Sequence, residues 1–307
     1  MQVIFLEGPL LALDPCALPA NLSVVAPDVL AEFLELKRFE HGLKTPCWER
    51  KGDGQIRCLP YFSIIGAFED DVQDLVNILQ TFSTVRMGEQ QTSSFWRQED
   101  VPFSGYLDSF AATHAAMKDE PRIATMEADP ALFAYTAAGL RGKPSKTTLP
   151  SLLKAVQPTL KLILVLRSPI DRMYVSYMKH ACSGNVAPAS PHAPPPPSPH
   201  AFHHVAQASI DKLRTCLKAT TPRKCAGKHL YDSHGLAHGL YSVYLPEWLD
   251  YFNQEEMLIL PVEEMERCQV PWPPMQDDTR HILRKFYEPF TEELSFMMDD
   301  GRFNWMN

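Results

Sequence analysis

Residues 160–177 read LKLILVLRSPIDRMYVSY, and the fold turns on them. The run Leu162-Ile163-Leu164-Val165-Leu166 is short and apolar on both faces, the pattern of a strand buried in a parallel sheet. Arg167 follows at its carboxyl end. Ser168-Pro169 breaks the strand, and Ile170 onward predicts a helix. Pro169 lies near its start, Asp171 in its first turn, and apolar and aromatic residues follow at helical spacing. A strand that delivers a cation to its carboxyl end, ahead of a helix start, is where open α/β sheets take anionic ligands. Taken alone, the stretch also reads as a core strand, an edge arginine and an amphipathic helix.

Outward from this stretch, strands and helices alternate. Leu59–Ile65 predicts a strand, Gly66 a turn, and Val72–Phe82 an amphipathic helix. Arg122–Met126 predicts a second strand, ending at Glu127-Ala128-Asp129-Pro130. A helix follows over Leu149–Val156, another begins at Ser209, and Met257–Pro261 is a further buried strand. Ala26-Pro27-Asp28 starts a short packing helix, and a last helix falls within Thr279–Trp305. The fold class this predicts is α/β, a central parallel sheet flanked by helices. Residues 1–45 read as an N-terminal extension and 46–307 as the domain. Residues 185–204, NVAPASPHAPPPPSPHAFHH, predict an extended, polyproline-like surface insertion. Its His192, His200, His203 and His204 are read as compositional bias rather than metal ligands, and His234 and His238 as surface histidines.

The chain has 307 residues, 45% hydrophobic, so a sizeable core is expected. Its net charge of -8 argues against a nucleic-acid partner. It does not exclude an anionic ligand, because local fields can oppose the net charge. No apolar run approaches the roughly 18 residues of a membrane helix, and MQVIFLEGPLLALDPC lacks the basic start of a signal peptide. Neither an anchor nor a targeting segment is therefore read here. The seven cysteines form no CxxC pair, and no metal is expected. Glu69-Asp70-Asp71 precede the helix after Gly66. Carboxylates there suit a helix N-terminus; with Asp74 they could also hold a divalent cation.

The stretch Arg167, Pro169, Asp171, Arg172, Tyr177 resembles the segment of Golgi carbohydrate sulfotransferases that holds the 3′-phosphate of the sulfate donor PAPS, 3′-phosphoadenylyl sulfate. Cys47-Trp48, Arg57-Cys58-Leu59-Pro60-Tyr61-Phe62 and Ile64-Ile65-Gly66 resemble the same family. Further matches lie at Gly239-Leu240-Tyr241, at Trp248-Leu249 and at the closing Phe303-Asn304-Trp305. The resemblance implies a P-loop-like sulfotransferase fold and a lumenal Golgi location. It implies transfer of sulfate from PAPS to a hydroxyl of a glycosaminoglycan-like glycan, the acceptor and partner. Arg167, Arg172, Ser176 and Gly66 would contact PAPS, and Glu127 would be catalytic. Cys47 with Cys58, and Cys216 with Cys225, match family cysteines and imply two disulfides; as residues alone they read equally as buried thiols.

The match departs where the family's chemistry sits. The lysine that grips the 5′-phosphosulfate falls on Glu69, the loop glycine on Asp71 and two threonines on Val72 and Gln73. A carboxylate about 5 Å from a phosphate charge is repelled by roughly 3 kcal/mol at an effective dielectric of about 20. The family serine falls on Val175; Ser176 is one residue late, about 100° round the helix. The family's acidic base and its histidine fall on Thr92 and Ser94, with Glu89 nearby. An alternative is therefore a catalytically inactive glycan-binding or scaffold protein on the same fold.

Overall fold

The computed structural model describes residues 26–33, 38–88, 95–97, 101–135, 147–182, 198–231, 234–262 and 272–306. The chain forms two compact units, one from Met1–Val165 with Glu247–Leu260, the other from Leu166–Pro246 with Pro261–Asn307.

The first unit carries α1 (Pro27–Glu32), the antiparallel hairpin β1 (Cys47–Glu49) and β2 (Ile56–Cys58), and β3 (Phe62–Ile64). It continues through α2 (Glu69–Leu79), β4 (Val85–Met87), α3 (Phe103–Ala111) and α4 (His114–Asp119). Then come β5 (Ala124–Ala128), α5 (Leu132–Tyr135), α6 (Leu149–Val156) and β6 (Lys161–Arg167), which leaves the unit after Val165. With β7 (Met257–Val262) the strands form a five-stranded sheet in the order β4-β5-β3-β6-β7. The pairs β4–β5, β5–β3 and β3–β6 are parallel, with Ser63 opposite both Glu127 and Leu162. The expected α/β fold with a central parallel sheet is what forms.

Burial explains the order. Leu162 to Leu166 are each at most 3% exposed, so β6 needs cover on both faces and neighbours at both edges. β3 is shorter than its apolar run, because Pro60 has no N–H to donate. Pairing resumes at Tyr61, whose N–H donates to Thr125 O at 2.8 Å. β5 starts two residues later than expected. Arg122 is tied in an exposed turn by its Nε bond to Glu120 (2.9 Å), and the strand runs through Glu127 to Ala128. β4 and the β1–β2 hairpin were not anticipated; three-residue strands carry too little periodicity to read.

In the second unit α7 spans Pro169–Cys182, α8 Pro199–Leu217, α9 Pro222–Lys228, α10 begins at Tyr241 (Tyr241–Leu249), and α11 spans Asp277–Met298. The expected extended insertion is corrected at its end. Ser198 caps α8 by accepting from Ala201 N, and Pro199 takes the first helical position, so His200, His203 and His204 are helical. Residues 183–197, with His192, lie outside the described residues.

Both disulfides that the resemblance implied are present. Cys47–Cys58 closes the hairpin across a register pair, and Cys216–Cys225 joins α8 to α9. Replacing Cys47 and Cys58 by serine should lower the unfolding free energy by about 3 kcal/mol, from loop-closure entropy alone. Urea unfolding of the oxidised and double-serine proteins measures this difference.

Candidate functional site

In the first unit the loop after β3 is where the resemblance implies a phosphate cradle. Ile65 N donates to Ile163 O (2.9 Å) and Ala67 N to Val165 O (3.2 Å), so these two N–H groups are spent on β6. A Cβ on Gly66 would lie 2.1 Å from Val72 Cγ2. Gly66 is thus required by close packing of Val72, the residue standing where the family has threonine. α2 starts at Glu69, three residues before the expected Val72, because Phe68 is extended and puts the three carboxylates in the first turn. There they favour the helix dipole. Asp71 is 1% exposed. Among the described residues no three His, Cys, Asp or Glu side chains converge in a metal-holding group. This loop, acidic and filled by Val72, does not fit a 5′-phosphosulfate.

Glu127, expected at a strand end, is the penultimate residue of β5 and is 2% exposed. Tyr106 of α3 donates its hydroxyl to Glu127 Oε2 at 2.8 Å. Around that bond stand Phe95, Trp96 and Phe103, with ring centroids 4.6, 5.5 and 5.6 Å from that of Tyr106. Glu127 Oε1 and Trp96 Nε1 are buried without hydrogen-bond partners among the described residues. Burial lifts the Glu127 carboxyl to about 8; the Tyr106 hydrogen bond opposes the shift, and the Asp129 charge adds to it. Asp129 is itself pushed up by burial, against Arg97, whose Nε donates to Oδ2 at 2.8 Å. Tyr106, Trp96 and the Arg97–Asp129 pair went unread in the sequence. The apolar face Phe103, Tyr106, Leu107, Phe110 was the signal for the helix, but nothing marked its hydroxyl. Glu89, Thr92 and Ser94 lie outside the described residues.

In the second unit Arg167 ends β6, and its carbonyl accepts from the Tyr241 hydroxyl at 3.0 Å. Ser168 Oγ accepts from Asp171 N at 3.4 Å, and Asp171 pairs with Arg280 at 3.1 Å. Arg172 is buried. Its Nη2 donates to Gly235 O at 2.8 Å, and its Nε has no partner among the described residues. The Tyr287 hydroxyl donates to Leu236 O (2.7 Å) and that of Tyr244 to Ala237 O (2.9 Å). Arg172 therefore clamps the 234–239 turn. Ser176 lies half-buried one helical turn beyond it. A Cβ on Gly239 would meet Pro169 Cβ and Tyr287 Oη at 2.7 Å. His238 is no surface histidine: its Nδ1 is buried and unpartnered among the described residues, and burial, then Arg172, push its pKa down to about 3.

Comparison with known proteins fits this fold. Carbohydrate sulfotransferase 15 of Mus musculus is 25% identical over 323 residues, 82% of this chain and 55% of the relative. That of Homo sapiens is 24% identical over the same shares. That of Nototodarus sloanii is 33% identical over 70 residues, 22% of this chain and 44% of the relative. The chain spans about half the length of the mammalian relatives it matches (55%). No family model matches it. The crystal structure of a sulfotransferase from Alicyclobacillus acidocaldarius superposes with a TM-score of 0.51 at 17% identity. The superposition covers 79% of this chain and 96% of that one, which shows the sulfotransferase fold. The resemblance to carbohydrate sulfotransferases read from the residues is borne out by these relatives.

The buried carboxyl gives a pH signature. Its folded pKa, about 8, stands above the ordinary value of 4.5. Its stabilising contribution is therefore full below about pH 4.5 and is lost as pH rises through about 8. Between pH 6 and pH 9 the parent protein should lose stability to denaturant that Glu127→Gln does not lose. Equal losses in the two proteins would remove the interior acid from the account.

Proposed function

We propose that the protein is a PAPS-dependent carbohydrate O-sulfotransferase by descent, directed at a hydroxyl of a glycosaminoglycan-like glycan in the Golgi lumen, with turnover reduced by its acidic loop. The observation that carries this is the β6–α7 passage: Arg167 at a strand's carboxyl end, then Ser168 and Pro169 at a helix start, in a chain homologous to carbohydrate sulfotransferases. Such a passage suits a phosphate. Among the described residues no helix is long and apolar enough to cross a membrane.

A second reading has its own support. Val72 packed on Gly66 and the interior Asp71 favour a glycan-binding protein on this fold that no longer transfers sulfate.

Titration with adenosine 3′,5′-bisphosphate, the PAPS product, separates the two. Glu69 is exposed, so Glu69→Lys should fold normally. Exchanging a negative for a positive charge beside a phosphate should tighten binding at least tenfold, a change of about 1.4 kcal/mol. Transfer of labelled sulfate from PAPS to chondroitin sulfate should rise with it. Bisphosphate binding without transfer, before and after the exchange, supports the second reading. No binding by either protein overturns the enzyme reading.

A further inference from the structure

The end of α8 and all of α9 carry Lys212, Arg214, Lys218, Arg223, Lys224 and Lys228, with no Asp or Glu between residues 212 and 229. In a chain of net charge -8 this is a local reversal of sign. Lys212, Arg214, Lys218, Lys224 and Lys228 are all exposed. Arg214, Lys218, Lys224 and Lys228 have no ion pair among the described residues. The Cys216–Cys225 disulfide holds the two helices together, and Lys212 of α8 and Lys228 of α9 line one cavity. This cavity, of about 540 Å³, is also lined by His229, Thr215 and Thr220. Asp211 also lines it, its carboxylate accepting from Gln207 Nε2 at 3.0 Å. Three residues past Lys228, Tyr231 is 73% exposed.

We infer that the α8–α9 clip is a binding surface for a sulfated glycan, in which Lys212 and Lys228 take sulfate or carboxylate groups at the cavity and Tyr231 offers its ring to a pyranose face. Spaced ammonium groups match the regular anions of an acidic polysaccharide, and their attraction outweighs the chain's net repulsion at short range. An exposed ring three residues past Lys228 suits a sugar, which presents C–H faces between its charged groups. The choice of glycan over other polyanions rests on the functional reading above; the cationic surface itself does not.

The test is salt-dependent titration of the whole chain with a chondroitin sulfate oligosaccharide, with unsulfated hyaluronan of the same length, and with single-stranded DNA of equal charge. Chondroitin sulfate should bind most tightly. Lys212→Glu with Lys228→Glu should weaken it at least tenfold and flatten its salt dependence. Lys212→Arg with Lys228→Arg should retain it, as should Lys118→Glu at an exposed position of α4. Tyr231→Ala should weaken chondroitin sulfate more than DNA. Equal binding of DNA, no loss in the double Glu variant, or equal loss in Lys118→Glu would each overturn the proposal. Glycan binding by a chain that ignores adenosine 3′,5′-bisphosphate leaves this surface standing and removes only sulfate transfer.

Discussion

The constraint on which the structure depends is the complete burial of β6. A strand with apolar residues on both faces cannot sit at a solvated surface, and parallel neighbours cannot be reached by tight turns. The chain must travel away and return, and helices such as α2 and α6 lie on those return paths. Thr148 caps α6 by accepting from Ser151 N, which launches the chain into β6 from a fixed start. One apolar run thus dictates much of the sequence around it.

Electrostatics then divides the molecule. The loop after β3 leads into three carboxylates in the first turn of α2. Asp71 is interior, and Val72 occupies the space beside Gly66. These are stable local arrangements that need no ligand. Buried Arg172 gives its charge to a backbone carbonyl, with two tyrosine hydroxyls beside it on the same turn. The unsatisfied polar atoms of a folded protein are few, so Arg172 Nε, His238 Nδ1 and Glu127 Oε1 stand out as interior atoms held without partners among the described residues.

Much of this was legible in the residues. Leu162–Leu166 announced its own burial, and α6 formed over the span that its apolar spacing predicts. The cysteine pairing was not legible from spacing; it came with the family resemblance. Other features lacked any signal. The interior position of Glu127 depends on Tyr106, a residue 21 positions away in sequence, which no local pattern announces. The partner of Arg172 is a main-chain oxygen 63 residues away, and a carbonyl has no letter of its own. The proline tract masked a good helix start at Ser198-Pro199, where a capping residue and a first-turn proline stand together.

The clamp on the 234–239 turn has a consequence for how the sequence can drift. Arg172, Tyr287 and Tyr244 bind the oxygens of Gly235, Leu236 and Ala237, which every amino acid possesses. The clamp therefore reads the path of the chain and is blind to the hydrogen-bonding chemistry of its side chains. Constraint falls instead on shape: Gly235 holds a φ of +85°, and Gly239 leaves no room for a methyl group. Over evolutionary time such a turn can exchange its polar residues freely and still keep its two glycines and its three clamping side chains.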